Sequence, residues 1–111
     1  MIKFRAWYMP FGKYGAMQEM VYSRAIHILA LAETEPEKYI PEQFTGLTDV
    51  NGKDIYEGDI VENERGEILR VSYSAIDASF VAGNCYFGSI GAGKEIRIIG
   101  NVHANPELLK G

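Results

Sequence analysis

Between Gln43 and Val61 the chain reads Gln-Phe-Thr-Gly-Leu-Thr-Asp-Val-Asn-Gly-Lys-Asp-Ile-Tyr-Glu-Gly-Asp-Ile-Val, with turn residues and apolar anchors alternating at almost every step. That alternation predicts short strands joined by tight turns. Asn51-Gly52 is the strongest hairpin dipeptide, because both residues accept positive φ at little steric cost, as a type I′ turn requires. Glu57-Gly58 punctuates again, just before a strand at Asp59-Ile60-Val61-Glu62-Asn63. The pattern describes architecture and carries no reactive constellation.

The same style continues to the C-terminus, with ten glycines among the seventy residues after Pro41. Glu64-Arg65-Gly66 turns into a strand at 67–73, in which Leu69, Val71 and Tyr73 share one face. Residues 78–82 around Phe80 offer the next strand. The stretch 83–93 is glycine-rich and predicts an irregular connection. Residues 95–102 then close the sheet, with Ile96 and Ile98 inward and Glu95 and Arg97 outward. At the end, Asn105-Pro106-Glu107-Leu108-Leu109 has a capping residue, a proline suited to a first helical position and an acid at the positive end of the helix dipole. One short helical turn is predicted there, packing Leu108 or Leu109 on a neighbour.

Upstream, Ile2, Phe4, Ala6 and Tyr8 alternate with Lys3, Arg5 and Trp7, the period of a strand with one buried face. This reading exposes Trp7. Residues 9–15 supply a proline and two glycines, so Met17 to Tyr22 can return as the second arm of a hairpin. Ser23 to Glu33 fits a strand or a buried short helix equally well, and Glu33 to Lys38 forms a polar, acidic loop broken by Pro36. The fold class is therefore mainly β: an N-terminal hairpin element, a small SH3-like barrel-type meander and a short C-terminal helical turn. All 111 residues are read as a single domain, with the hairpin region and acidic linker in 1–42 and the barrel-like region in 43–111.

Composition bounds the function classes. With 47% apolar and 12% aromatic residues the chain has the material for a core, which excludes the disordered class. Eleven basic against fifteen acidic residues give a net charge of -4, with no run of three basic residues, so nucleic acid is a disfavoured partner. Cys85 is alone and cannot form an intramolecular disulfide, which fits a reducing cytoplasm. No signal-peptide pattern opens the chain, and no window approaches the ~20 apolar residues of a membrane span.

Motifs for chemistry fail on spacing. Asp49 to Asp54 begins like a calcium loop, yet its fifth, sixth and twelfth places hold Lys53, Asp54 and Ile60 instead of an oxygen ligand, glycine and glutamate. His27 and His103, the two imidazoles, have no cysteine or second histidine at ligand spacing. Gly88, Gly91, Gly93 and Lys94 miss the phosphate-loop spacing, and Glu95 stands where Ser or Thr is needed. Cys85 with His103 makes at most a minor hydrolase reading, since no nucleophile elbow is present. Glu57, Asp59, Glu62 and Glu64 read as solvated strand residues. No catalytic residue, cofactor or metal site is expected.

The segments Lys3-Phe4-Arg5-Ala6-Trp7, Gln43-Phe44-Thr45-Gly46-Leu47, Asp49 to Val61 and Ile99-Gly100-Asn101 with Asn105-Pro106-Glu107-Leu108-Leu109 together resemble the YopX family. That family has no assigned biochemical function. The resemblance implies a phage or prophage origin, a cytoplasmic site of action in the host bacterium and a homo-oligomer, a trimer being one candidate. The preferred function is a noncatalytic homo-oligomeric binding or adaptor module for an unknown phage or host protein, with Lys3, Arg5 and Trp7 as candidate interface residues. The alternative is a nucleic-acid-associated small barrel using Arg70, Tyr73, Tyr86, Phe87, Lys94 and Arg97.

Overall fold

The computed structural model describes residues 3–76, 78–82, 85–86 and 96–109. The chain is mainly β and divides into two compact units, Met1–Phe44 and Thr45–Gly111. In the first unit, β1 (Phe4–Tyr8), β2 (Glu19–Tyr22), α1 (Ala25–Thr34) and β3 (Tyr39–Thr48) follow in order, and β3 carries the chain into the second unit. β1 lies between β2 and β3 and pairs antiparallel with both, so that Trp7 stands opposite Met20 on one side and Ile40 on the other. The ambiguous segment is a helix. It packs against β1 and buries Ile28 completely.

The expectation that β1 has one exposed face is corrected. Arg5, Ala6 and Trp7 are all buried, with Trp7 only 7% exposed. The period-2 pattern is real, but β1 is an interior strand whose middle residues are buried whichever face they point to, and its buried polar side chains find partners. Arg5 Nε donates to Glu42 Oε1 at 2.8 Å, and Trp7 Nε1 donates to Gln18 Oε1 at 2.7 Å. Arg5 and Trp7 are thus almost wholly buried within the chain, whereas Lys3, the third candidate interface residue, keeps partial exposure with its ammonium over the Phe44 ring.

In the second unit, the end of β3 neighbours β4 (Asp54–Tyr56). A curled sheet follows with the order β8-β7-β6-β5-β9, from β5 (Asp59–Glu62), β6 (Ile68–Ser74), β7 (Ser79–Ala82), β8 (Cys85–Tyr86) and β9 (Arg97–Asn101). β5 to β8 form a meander, and β9 returns to the far side of β5, with a register shift at Ile60/Val61 that bends the pair. The meander and its closing strand are as expected. Ile55, Val61, Val71, Ala82 and Ile96 form the core, with Leu47, Leu69, Phe80 and Ile98 packed against it. Each fully buried Ile or Val stabilises by about 1.5–3 kcal/mol. The 83–93 connection falls outside the described residues except for the backbone pairing of β8.

The 3₁₀ turn Pro106–Leu109 packs on β6. Gly100 permits it: a Cβ there would sit 2.7 Å from Leu108 Cδ1 and 2.9 Å from Asn105 Oδ1. Asn105 does not cap its own turn but accepts the Asn101 N–H at 3.2 Å, tying the turn to β9.

Candidate interaction surface

Among the described residues, four polar or charged ones are buried: Arg5, Glu42, Asp49 and Asp59. Burial is tolerated where a charge is paired or fully hydrogen-bonded. In the first unit Arg5 and Glu42 pair with each other. Asp59 Oδ2 accepts the Tyr56 N–H at 2.8 Å and so closes the turn between β4 and β5.

Asp49 shows how the local sequence becomes structure. Its Oδ1 accepts the N–H groups of Asn51 and Lys53, both at 2.9 Å, and its Oδ2 accepts the Ile98 N–H at 3.0 Å. The first two bonds build the β3–β4 turn; the third reaches the outer edge of β9. Burial alone would raise this carboxyl's pKa. The three backbone N–H bonds, helped by Lys53, outweigh that effect and hold it below the ordinary aspartate value. Val50 N also donates to Ile96 O at 3.0 Å. The turn thus occupies an edge that would otherwise be open to another strand.

The expected type I′ turn at Asn51-Gly52 is not formed, because only Gly52 has positive φ, at 81°. Gly52 N donates to Asp49 O and Asp49 N to Lys53 O, the pattern of a type I turn followed by a left-handed glycine. The Asp49 carboxylate decides between them by bonding N–H groups two and four residues on. Asn63 to Glu67 repeats the device: Asn63 Oδ1 accepts from Arg65 N at 3.0 Å and Glu67 N at 2.9 Å, and Gly66 has φ 78°. Val50, Glu62 at the end of β5 and Asn63, Glu64 and Gly66 of the second loop line a shallow groove of about 380 Å³ with Arg97, whose guanidinium bonds Glu62.

The candidate nucleic-acid residues are not gathered on one face among the described residues. Arg70 and Arg97 are exposed on the side of the sheet away from the core. Tyr73 lies on the core side, half exposed and edge-on to Phe80 at 5.2 Å, because residues three apart in a strand face opposite ways. The side chain of Tyr86, and Phe87 and Lys94 altogether, lie outside the described residues. His27 and His103 belong to different units; His27 bonds Ser23 Oγ at 2.8 Å, and His103 donates its backbone N–H to Asn101 Oδ1 at 2.8 Å. No cluster of three potential metal ligands occurs among the described residues.

Among the described residues, the first unit displays several strongly exposed apolar side chains close together in sequence. The loop between β1 and β2 shows Phe11 at 69%, Tyr14 at 93% and Met17 at 76% exposure; the end of β2 shows Tyr22, and α1 shows Ile26 at 79%. The loop is a built object. The Gln18 amide accepts the Trp7 indole N–H and donates to Lys13 O at 2.9 Å and Gly15 O at 3.0 Å. Met17 is held at φ 62°, a left-handed conformation that costs a non-glycine residue roughly 1–2 kcal/mol. The sequence places Phe11 and Tyr14 in a turn, Met17 and Tyr22 in the returning arm of a hairpin and Ile26 in an ambiguous segment. The available signal was three large apolar residues, Phe11, Tyr14 and Met17, in a loop where polar ones are usual.

No helix among the described residues is long and apolar enough to cross a membrane. No curated protein matches the chain. Among solved structures, it is similar to protein EF1440 from Enterococcus faecalis, with 22% identity, a TM-score of 0.59 and 98% of each chain covered. At that identity the likeness speaks for the fold. The profile of the family described as YopX protein matches residues 3–110, nearly the whole length, and the chain belongs to the YopX family.

Proposed function

We propose that this protein is a noncatalytic, self-associating binding module that acts as an adaptor in the cytoplasm of a bacterium carrying a phage or prophage, with a phage or host protein as its further partner. The observation that carries the reading is the set of large apolar side chains displayed by the first unit. Phe11, Tyr14, Met17, Tyr22 and Ile26 are each more than 60% exposed within the first 44 residues. Exposed apolar residues in such density mark interaction surfaces. The buried charges support the same reading, since Arg5, Glu42, Asp49 and Asp59 are engaged in holding strands and turns. Light scattering on the purified protein tests it: a particle of at least twice the 12.4 kDa chain mass is expected. A monomer at micromolar to hundred-micromolar concentration would reject self-association.

A further inference from the structure

We infer that the self-association surface is the open edge of β2, and that two copies join there antiparallel about a two-fold axis; this rests on the proposed self-association. Among the described residues β2 ends its sheet, and its run Glu19-Met20-Val21-Tyr22 has one charge, at its first position, and neither lysine nor proline nor a bulge in its pairing with β1. Lysine, proline and bulges are among the devices that keep edges from pairing, and a single charge at one end leaves the middle of the strand apolar. The contrast with β9 is internal to the molecule, because there the Asp49 turn bonds Ile98 N and Ile96 O along the outer edge.

The order of elements identifies the occupant. Exposed apolar residues flank β2 on both sides: Phe11, Tyr14 and Met17 in the loop before it, Ile26 and Leu29 on the helix after it. In an antiparallel pair the start of one strand lies beside the end of the other. A second copy therefore sets its loop against the helix of the first, and the reverse, so one symmetric contact covers both clusters. Glu19 of each copy comes to the end of the other's strand, near Arg24; both side chains are exposed. An unrelated strand laid on the edge would leave the two apolar ends in water.

Area and charge agree. Phe11, Tyr14 and Tyr22 are 69%, 93% and 63% exposed, which for aromatic side chains of about 150–250 Å² leaves roughly 450 Å² facing water. Met17, Ile26 and Leu29 bring this near the ~800 Å² per partner of a standard interface. Residues 1–44 hold five basic and five acidic residues, whereas 45–111 hold six and ten. Copies that meet through the first unit face no net repulsion; through the second, each would bring a charge of -4.

The test is light scattering and sedimentation of the full chain with Tyr14→Asp, Ile26→Asp and, as a control in the second unit, Ile76→Asp, whose side chain is 97% exposed. The first two are expected to raise the dissociation constant roughly 100-fold or more, since each change is felt twice across the axis; Ile76→Asp should leave it unchanged. Circular dichroism checks that each variant folds. Tyr14→Lys combined with Ile26→Glu should restore much of the assembly, because the two positions meet only between copies. A wild-type dimer, or a larger even-numbered particle cut down by Tyr14→Asp, supports the inference. A trimer, or an assembly indifferent to Tyr14→Asp and Ile26→Asp, overturns the two-fold edge while leaving self-association standing. A wild-type monomer overturns both.

Discussion

Replacing Asp49 by Asn separates the shape of its side chain from its charge. The amide oxygen can still accept from Asn51 and Lys53, but the NH2 group then faces the Ile98 N–H, 3.0 Å from the present Oδ2, donor against donor. One charge-assisted bond, about 1.5–3 kcal/mol, is lost and a part-buried donor is left unmatched, so the expected cost is roughly 3 kcal/mol. At ~4–8 °C per kcal/mol for small domains, Tm should fall by roughly 10–20 °C. Asn63→Ala is the comparison, since Asn63 makes the same two turn bonds but no bond to a distant strand; its exposed turn should lose only about 1 kcal/mol. The pH dependence fixes the sign. Asp49 is held below its ordinary value in the folded chain, so its contribution is complete above the unfolded pKa of about 3.9 and is lost as pH falls through the folded one. Thermal melts followed by circular dichroism at pH 7 and in steps below pH 4 should show the gap between wild type and Asp49→Asn narrowing with acid. A gap of constant size, or equal losses for Asp49→Asn and Asn63→Ala, would refute the idea that a carboxylate charge ties this turn to β9.

Gln18→Ala should cost about 1–2 kcal/mol and speed amide exchange across residues 10–17, because the bonds from the Trp7 indole N–H and to the Lys13 and Gly15 carbonyls are removed; unchanged exchange would mean the loop is held by other contacts. Arg5→Met should destabilise by about 3–5 kcal/mol by leaving the Glu42 carboxylate buried beside an apolar side chain, and Arg5→Met with Glu42→Leu should recover most of it in urea denaturation. Gly100→Ala should cost about 1–3 kcal/mol as Leu108 and Asn105 are pushed away, with partial recovery when Leu108→Ala makes room; chemical denaturation of the single and double variants measures the coupling.

Much of the second unit follows from residue order alone, for a local reason. Turn residues such as Gly58 and Gly66, and the alternation of Leu69 and Val71 or Ile96 and Ile98, act over two to four residues, so strands and facing are written where they occur. The same holds for the C-terminal turn at Pro106 and for the family likeness carried by matching segments along the chain. What local pattern could not supply was anything set by a distant neighbour. Trp7 and Arg5 look outward by period, yet Gln18 from the loop before β2 and Glu42 from β3 meet their polar atoms in the folded chain. Asn51-Gly52 suggests one turn, but Asp49, anchored to Ile98 forty-nine residues away, stabilises another. Residues 25–34 had equal claims to helix and strand until β1 offered a surface on which a helix could bury Ile28. Composition and spacing decided the class of fold, because those signals are short-range; tertiary structure decided which side chains meet water, because burial is a property of what comes to lie on top.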